Sequence, residues 1–166
     1  LQDTGQALIK SFKQVSNTQS VSQRPVTEVA VGILVREDGS YLLGQRPEGK
    51  PYAGYWEFPG GKVEKSETIF QALYRELEEE LGIKIQDSVP WETIEYDYPH
   101  AYVRLNIHHV YRWEGEPRGC EGQKLAWQPK LQSKPTTQGA GVASSVEPLL
   151  PATIVILDLM KKNSDK

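Results

Sequence analysis

The stretch that decides the fold reads GGKVEKSETIFQALYRELEEELGI and spans residues 60–83. It opens with two glycines, carries a third at Gly82, and contains six glutamates, four of them within residues 76–80. Carboxylates that are three or four residues apart on a helix repel one another, so this pattern costs stability. We therefore expect a further interaction in the folded protein to offset the repulsion.

The same stretch predicts a helix with defined ends. Thr68 and Gln71 have the spacing of a capping box, and the turn before them begins with Gly60-Gly61. Gly82 is placed to end the helix as a C-terminal glycine. At about 100° per residue, one apolar stripe runs along the predicted helix. Its members are Ile69, Phe70, Leu73, Leu77 and Leu81.

Three of the glutamates lie on the side of the helix that we expect to be buried. Glu76 and Glu79 border the apolar stripe, Glu80 falls within it, and Glu78 points to solvent. A solvated acidic face is the ordinary explanation of such a charge run, and it suits Glu78 but not Glu80. A carboxylate that faces the core has to be paired or bound to a metal ion. Oxygen ligands of this charge favour a hard divalent cation such as Mg²⁺ or Mn²⁺.

The pattern G-x₅-E-x₇-R-E-U-x-E-E-x-G-U, in which U is an aliphatic residue, resembles the Nudix box. The chain meets it without departure at Gly61, Glu67, Arg75, Glu76, Leu77, Glu79, Glu80, Gly82 and Ile83. Two flanking segments, WEFPGGK at 56–62 and YRWEGEPRGCEGQ at 111–123, resemble the MutT branch of that family. A third segment, LPAT at 150–153, resembles the C-terminal part of the branch more loosely. The resemblance implies an enzyme that hydrolyses a nucleoside diphosphate linked to another group.

The resemblance also implies a set of ligands for Mg²⁺, with Mn²⁺ as the alternative. Glu76 and Glu80 are implied as metal ligands, together with the backbone carbonyl of Gly60. Glu79 is implied as a ligand or as an orienting group. Glu121 resembles a further acidic residue of the family, which acts as the base or as another ligand. The spacing agrees for the first pair, because residues 76 and 80 are one helical turn apart and can share an ion.

Further residues are implied around the nucleotide. Arg75 is expected to form a bridge to Glu67 that clamps the loop against the helix. Arg46 and Lys62 are candidate contacts for the phosphates, with an ordinary surface charge as the alternative. Phe58 is a candidate contact for the base, with a core position as the alternative.

Two positions that would read the base depart from the MutT pattern. In MutT a C-terminal asparagine reads the oxidised guanine, whereas the loose match places Thr153 there. A threonine hydroxyl cannot offer the paired donor and acceptor of an amide. MutT also has an Asp-Arg pair after an aromatic-proline step, and here His100-Ala101 follow Pro99. The metal positions are intact, so the phosphorus chemistry is better supported than the choice of base.

The order of predicted elements favours the α/β (α+β) class, with a mixed β-sheet between helices. The resemblance implies the same fold, a Nudix α/β/α sandwich. We expect one domain at 26–166, with a flexible insertion or a mobile flap at 129–147. Residues 1–25 are expected to be an extension outside the domain, with a possible short helix at 7–12. A hairpin turn is predicted at Asp38-Gly39. A final helix at 152–162 is predicted to turn Ile154 and Leu157 inward, with Val155 and Leu159 as further candidates.

The composition limits the partners that we expect. The 166 residues carry a formal net charge of −3, so no global basic field attracts nucleic acid. The chain contains one cysteine, Cys120, which allows no internal disulfide and fits a cytoplasmic protein. No apolar run has the length of a membrane span. We expect a small nucleotide substrate, no nucleic-acid or membrane partner, and either a monomer or a dimer.

Three functions follow from these patterns. The first is a Mg²⁺-dependent nucleoside triphosphate pyrophosphohydrolase of the MutT kind, which removes oxidised nucleotides such as 8-oxo-dGTP, or other nucleotides, from the pool. The second is a Nudix hydrolase of another nucleoside diphosphate derivative. The third is a non-catalytic domain that senses nucleotides. Domains of the third kind usually lose carboxylates of the box, and this chain has kept them all.

Overall fold

The computed structural model describes residues 6–10, 24–131 and 146–164. Within these ranges the chain forms strands β1 to β10 and helices α1 and α2. The strands are β1 (Gln6–Lys10), β2 (Val26–Leu34), β3 (Tyr41–Gln45), β4 (Trp56–Glu57), β5 (Gly60–Lys62), β6 (Lys84–Ile85), β7 (Val89–Asp97), β8 (Tyr102–Val110), β9 (Trp113–Glu114) and β10 (Leu125–Gln128). The helices are α1 (Ile69–Leu81) and α2 (Pro151–Asn163), and no helix in the described ranges is long and apolar enough to cross a membrane.

The main sheet is mixed, as predicted. Its five strands have the order β1-β7-β8-β2-β5. The two central strands, β2 and β8, run parallel with Val31 opposite Ile107, and the other pairs are antiparallel. The connection between the parallel strands contains α1, which suits the crossover that a parallel pair requires.

The two helices lie on opposite faces of this sheet. Alternate residues of β2 separate the two halves of the core, because successive side chains of a strand point to opposite faces. Val31 and Ile33 pack in one cluster with Ile156 and Leu157 of α2. Ala30 and Leu34 pack in the other, with Leu73, Leu77 and Leu81 of α1. The predicted sandwich of helix, mixed sheet and helix is therefore confirmed.

Both predicted ends of the glutamate-rich helix are confirmed. Thr68 is the N-cap of α1, its hydroxyl accepts from the backbone N–H of Gln71, and the side chain of Gln71 accepts from the N–H of Thr68. Gly82 ends the helix in the left-handed conformation, with φ of 68°. Glu78 is exposed, as the stripe predicted. The helix is thus fixed in length and rotation by local sequence, and this fixes the direction of its glutamates.

The predicted helix at 7–12 is wrong, because Gln6–Lys10 forms β1. This strand pairs antiparallel with β7 at the edge of the main sheet. A short apolar run such as ALI has no periodicity that separates a helix from a strand, and here the open edge of β7 provides the partner. The boundary at Val26 stays a prediction. Most of the predicted insertion at 129–147 lies outside the described residues.

The last helix is rotated from the predicted orientation. Ile154 was expected to face inward, but it is 48% exposed. The buried positions of α2 are Ala152, Thr153, Ile156 and Leu157, and Val155 and Leu159 are partly buried against the same cluster. The prediction for Leu157 is confirmed and the one for Ile154 is wrong, because positions 152, 153, 156 and 157 form the buried side of α2.

A second, three-stranded sheet has the order β10-β3-β4. The predicted turn at Asp38-Gly39 leads the chain from β2 into β3, and Gly39 has a φ of 85°. The two-residue strand β4 contains Glu57 and ends just before the turn that enters β5. This second sheet therefore places β4 and the segment before β10 beside the glutamates of α1.

Candidate active site

Glycines in the turn before α1 allow the backbone to lie close to the glutamates of the helix. The amide of Gly60 donates to Oε2 of Glu80 at 3.4 Å. A Cβ atom on Gly61 would lie 2.3 Å from the carboxyl carbon of Glu76. Any side chain at position 61 would therefore displace that carboxylate. Glu79 is 61% exposed and forms a long ion pair with the guanidinium of Arg75, at 3.9 Å.

Glu80 is an acid whose pKa is strongly raised in the folded protein. Burial raises the pKa of its carboxyl group to about 8, and the negative charges of Glu76, Glu121 and Glu57 add to the effect. A partly buried carboxylate among three like charges binds a proton more tightly than usual, and it would gain equally from a cation. The four carboxyl groups thus act on one small region of the protein.

Glu57 is the site residue that the sequence analysis missed. It lies on β4 between two buried aromatic residues, Trp56 and Phe58. Burial raises the pKa of the Glu57 carboxyl group, while the charges of Arg46 and Lys50 oppose the rise. The segment WEF at 56–58 alternates between apolar and polar residues, and this alternation indicates the direction of the Glu57 side chain. Because strand neighbours point to opposite faces, a glutamate between two core aromatics points away from that core.

Glu121 is held near Glu80 by the side chain of Gln123. The amide N–H₂ of Gln123 donates to the backbone carbonyl of Glu80 at 2.9 Å, and its carbonyl accepts from the backbone N–H of Glu121 at 2.8 Å. The backbone N–H of Cys120 also donates to the carbonyl of Glu80, at 3.0 Å. Two of these hydrogen bonds therefore join the end of α1 to the loop that carries Glu121, and the third lies within that loop.

Arg75 forms the predicted bridge to Glu67. Its guanidinium donates to both carboxylate oxygens of Glu67, at 2.8 and 2.9 Å, and to the backbone carbonyl of Lys62 at 3.0 Å. It also donates to Glu76 at 2.7 Å. The arginine lowers the pKa of Glu67 to about 2. This single side chain connects the strand before the turn, the turn itself and the helix.

The two predicted phosphate contacts have different surroundings. Arg46 is largely buried, and it donates to both carboxylate oxygens of Glu57, at 2.9 and 3.2 Å, and to the carbonyl of Pro51 at 2.7 Å. Lys62 is exposed on β5, where its backbone carbonyl accepts from Arg75. Their contacts with phosphates stay predictions.

The two predicted base contacts are both in the core. Phe58 is 5% exposed, and its ring lies 5.8 Å from the ring of Tyr41. Thr153 is 2% exposed within the first turn of α2. The core position that was the alternative for Phe58 is the one observed, and neither side chain is open to a ligand in this conformation.

Comparisons with known proteins agree with this geometry. A sequence model described as the NUDIX domain matches residues 26–141. The chain belongs to the Nudix family. It is 43% identical over 104 residues to the 8-oxo-dGTP diphosphatase of Haemophilus influenzae. This match covers 63% of this chain and 76% of that protein. It is also 43% identical over 100 residues to the Escherichia coli protein of the same name. That match covers 60% of this chain and 78% of that protein.

Two further matches are a relative of another name and a solved structure. The CTP pyrophosphohydrolase of Escherichia coli is 39% identical over 97 residues, with 58% of this chain and 72% of that protein covered. The crystal structure of the MutT NUDIX hydrolase from Burkholderia pseudomallei aligns with a TM-score of 0.66 and 26% identity, over 81% of this chain and 98% of that chain. The protein is thus a Nudix hydrolase of the MutT type.

The Nudix family is typically dependent on divalent metal ions, and the donors of this site fit such an ion. The carbonyl of Gly60 and the carboxylates of Glu76 and Glu80 are hard oxygen ligands. In the described part of the chain, however, no three Asp, Glu, His or Cys side chains are arranged to hold a metal ion. The two further carboxylates that the resemblance implies, Glu79 and Glu121, are exposed.

Proposed function

We propose that this protein is a Mg²⁺-dependent nucleoside triphosphate pyrophosphohydrolase that converts 8-oxo-dGTP to the monophosphate and pyrophosphate. The reaction would remove oxidised nucleotides from the pool. Mn²⁺ is the alternative ion. The observation that carries the proposal is a group of four carboxylates. The charges of Glu57, Glu76 and Glu121 all act on the carboxyl group of Glu80.

The names of the relatives support the substrate. Two proteins that are 43% identical to this chain carry the name 8-oxo-dGTP diphosphatase, and each is covered over more than two thirds of its length. The chain itself keeps every residue of the Nudix box from Gly61 to Ile83. The phosphorus chemistry therefore rests on residues of this chain, whereas the choice of oxidised guanine rests on the relatives.

In this proposal Glu76, Glu80 and the carbonyl of Gly60 hold the metal ions, and Glu79 completes the set or orients a ligand. Divalent ions at such a site lower the pKa of water and neutralise charge on the phosphate oxygens. Glu121 accepts the proton of the attacking water or adds a further ligand. Arg75 and Glu67 keep the turn against the helix, so that these groups are in position before the substrate binds.

A second candidate is the hydrolysis of a pyrimidine nucleoside triphosphate. At position 153, where the MutT resemblance implies an asparagine that reads oxidised guanine, this chain has a buried threonine and so offers no amide to that base. The CTP pyrophosphohydrolase of Escherichia coli is 39% identical to this chain. The metal chemistry would be unchanged, and only the groups that read the base would differ.

The test is steady-state hydrolysis by the full chain with Mg²⁺ and identified products. We would compare 8-oxo-dGTP, dGTP, dCTP, ADP-ribose and a dinucleoside polyphosphate. A preference for 8-oxo-dGTP with release of pyrophosphate supports the proposal, and a preference for dCTP supports the second candidate. Tight nucleotide binding without any turnover contradicts both and identifies a sensor.

A further inference from the structure

A cleft opens beside Glu80, and three of the four charged residues that line it are acidic. We call it the acidic cleft, and the charged residues that line it are Lys50, Glu57, Glu80 and Glu121. A nucleoside triphosphate is strongly anionic, so a cleft with three carboxylates and no cation would repel it. Among the described residues that line the acidic cleft, Lys50 is the one basic side chain.

Two arginines near the site, Arg46 and Arg75, are already engaged. The guanidinium of Arg46 is shared between Glu57 and the carbonyl of Pro51. The guanidinium of Arg75 is shared among Glu67, Glu76 and the carbonyl of Lys62. Moving either one to a phosphate would break several charge-assisted hydrogen bonds, which are the strongest kind in proteins.

Lys50, in contrast, is available. Its side chain is exposed, and in the described part of the chain it forms no salt bridge within 4.0 Å. The positive charge of Lys50 acts to lower the pKa of Glu57, but Lys50 does not donate a hydrogen bond to that carboxylate. A lysine is a compact charge on a flexible stem, so it can turn toward a phosphate without disturbing the backbone.

The loop that carries Lys50 is closed and held in place. The backbone N–H of Arg46 donates to the carbonyl of Tyr55 at 2.7 Å, and the N–H of Gly54 donates back to the carbonyl of Arg46 at 2.9 Å. Inside the loop, the carbonyl of Lys50 accepts from the N–H of Ala53 at 3.1 Å. The hydrogen bond from Arg46 to Pro51 fixes the chain next to Lys50. The stem of the lysine therefore starts from a defined point at the edge of the acidic cleft.

We propose that Lys50 binds the polyphosphate chain of the nucleotide, on the side of the acidic cleft opposite the glutamates of α1. It would contact substrate directly and would share the phosphate charge with the metal ions held by α1. This inference rests on the proposed function for the identity of the substrate, but it concerns a contact that any polyphosphate in the cleft would make.

A purely structural role for Lys50 is the competing explanation, namely neutralisation of Glu57. Arg46 already provides that neutralisation through two hydrogen bonds. A second cation that only faced Glu57 from solvent would add little, because exposed ion pairs contribute weakly. The two explanations differ in whether loss of the charge weakens the binding of phosphates.

The experiment compares the wild-type chain with Lys50→Met, which keeps the stem and removes the charge, and with Lys50→Arg, which restores a cation. Lys84→Met is the matched control, because Lys84 is an exposed lysine on β6 and does not line the cleft. Binding of inorganic tripolyphosphate with Mg²⁺ is measured by calorimetry, and KM and kcat are measured with the best nucleotide. Thermal unfolding checks that every variant is folded.

We expect Lys50→Met to weaken tripolyphosphate binding and to raise KM by about tenfold or more, the typical effect of losing one charge-assisted hydrogen bond. Lys50→Arg should recover most of the loss, and Lys84→Met should match the wild type. Binding by Lys50→Met within about twofold of the wild type would overturn the inference. If the wild type hydrolyses no nucleotide, the proposed function fails, and tripolyphosphate binding still decides the role of Lys50.

Discussion

The two ends of the proposed substrate site are built differently. At the phosphate end, residues 60–82 place glycines against carboxylates, and an arginine that donates to three acceptor groups holds the turn to the helix. At the end where a base reader was expected, Thr153 is packed in the core with 2% exposure. The phosphate end is thus an arrangement of polar groups ready for a ligand, and the base end is an arrangement of packed apolar groups. Such a difference is expected in a family whose members carry out the same reaction on nucleotides with different bases.

The largest expected effect tests the phosphate end. Glu80→Gln removes a charge at nearly constant shape, and we expect kcat to fall on the order of 10³-fold, because a metal ligand is lost where charge develops in the reaction. The measurement is steady-state turnover across a range of Mg²⁺ concentrations. The midpoint of thermal unfolding should be unchanged or higher, since the replacement also relieves repulsion among the glutamates. Near-normal turnover would show that Glu80 is not a metal ligand.

A smaller effect is expected from the link between α1 and the loop of Glu121. Gln123→Leu breaks the hydrogen bonds to the backbone of Glu80 and Glu121, and groups that orient metal ligands typically contribute about 10–100-fold. We expect the loss to appear mainly as a higher Mg²⁺ requirement, with little change in KM for the nucleotide. Gln86→Leu is the matched control, because Gln86 is an exposed glutamine. An unchanged Mg²⁺ dependence would show that Glu121 does not need this link.

The clamp of the phosphate end should contribute stability that depends on pH. Arg75 lowers the pKa of Glu67 in the folded protein to about 2, from an ordinary value of 4.5. The stabilisation is therefore fully present above about pH 4.5 and is lost as the pH falls toward 2. We expect Glu67→Gln to lower the midpoint of thermal unfolding at pH 7, and we expect the difference from the wild type to shrink at pH 3. A difference that stays constant with pH would mean that packing, and not charge, is the cause.

The smallest effect is expected at the base end. Thr153→Val replaces the buried hydroxyl by a methyl group, and we expect the ratio of kcat/KM for 8-oxo-dGTP to that for dCTP to change less than about threefold, under 1 kcal/mol. The physical reason is that the side chain is out of reach of a ligand. A tenfold change in that ratio, with the midpoint of unfolding preserved, would show that the start of α2 opens to read the base.

Elements with strong local patterns were predicted correctly. The cap at Thr68, the C-terminal glycine at Gly82 and the turn at Asp38-Gly39 are all present, because each depends on residues within a few positions of one another. The prediction of a helix at 7–12 failed, because a partner strand nearly ninety positions away decides that segment. The orientation of Ile154 failed for a related reason, since packing against the sheet sets the rotation of α2.

The sequence by itself determined the family, the helix α1 and the direction of its glutamates, since spacing and caps act over a few residues. Only the tertiary structure decided that Glu57 joins this group, that Gln123 ties Glu121 to Glu80 across 43 positions, and that Arg46 is bound to Glu57. It likewise decided that Thr153 is buried. These facts depend on how two sheets and two helices pack, and the contacts that such packing creates join residues whose separation along the chain carries no pattern.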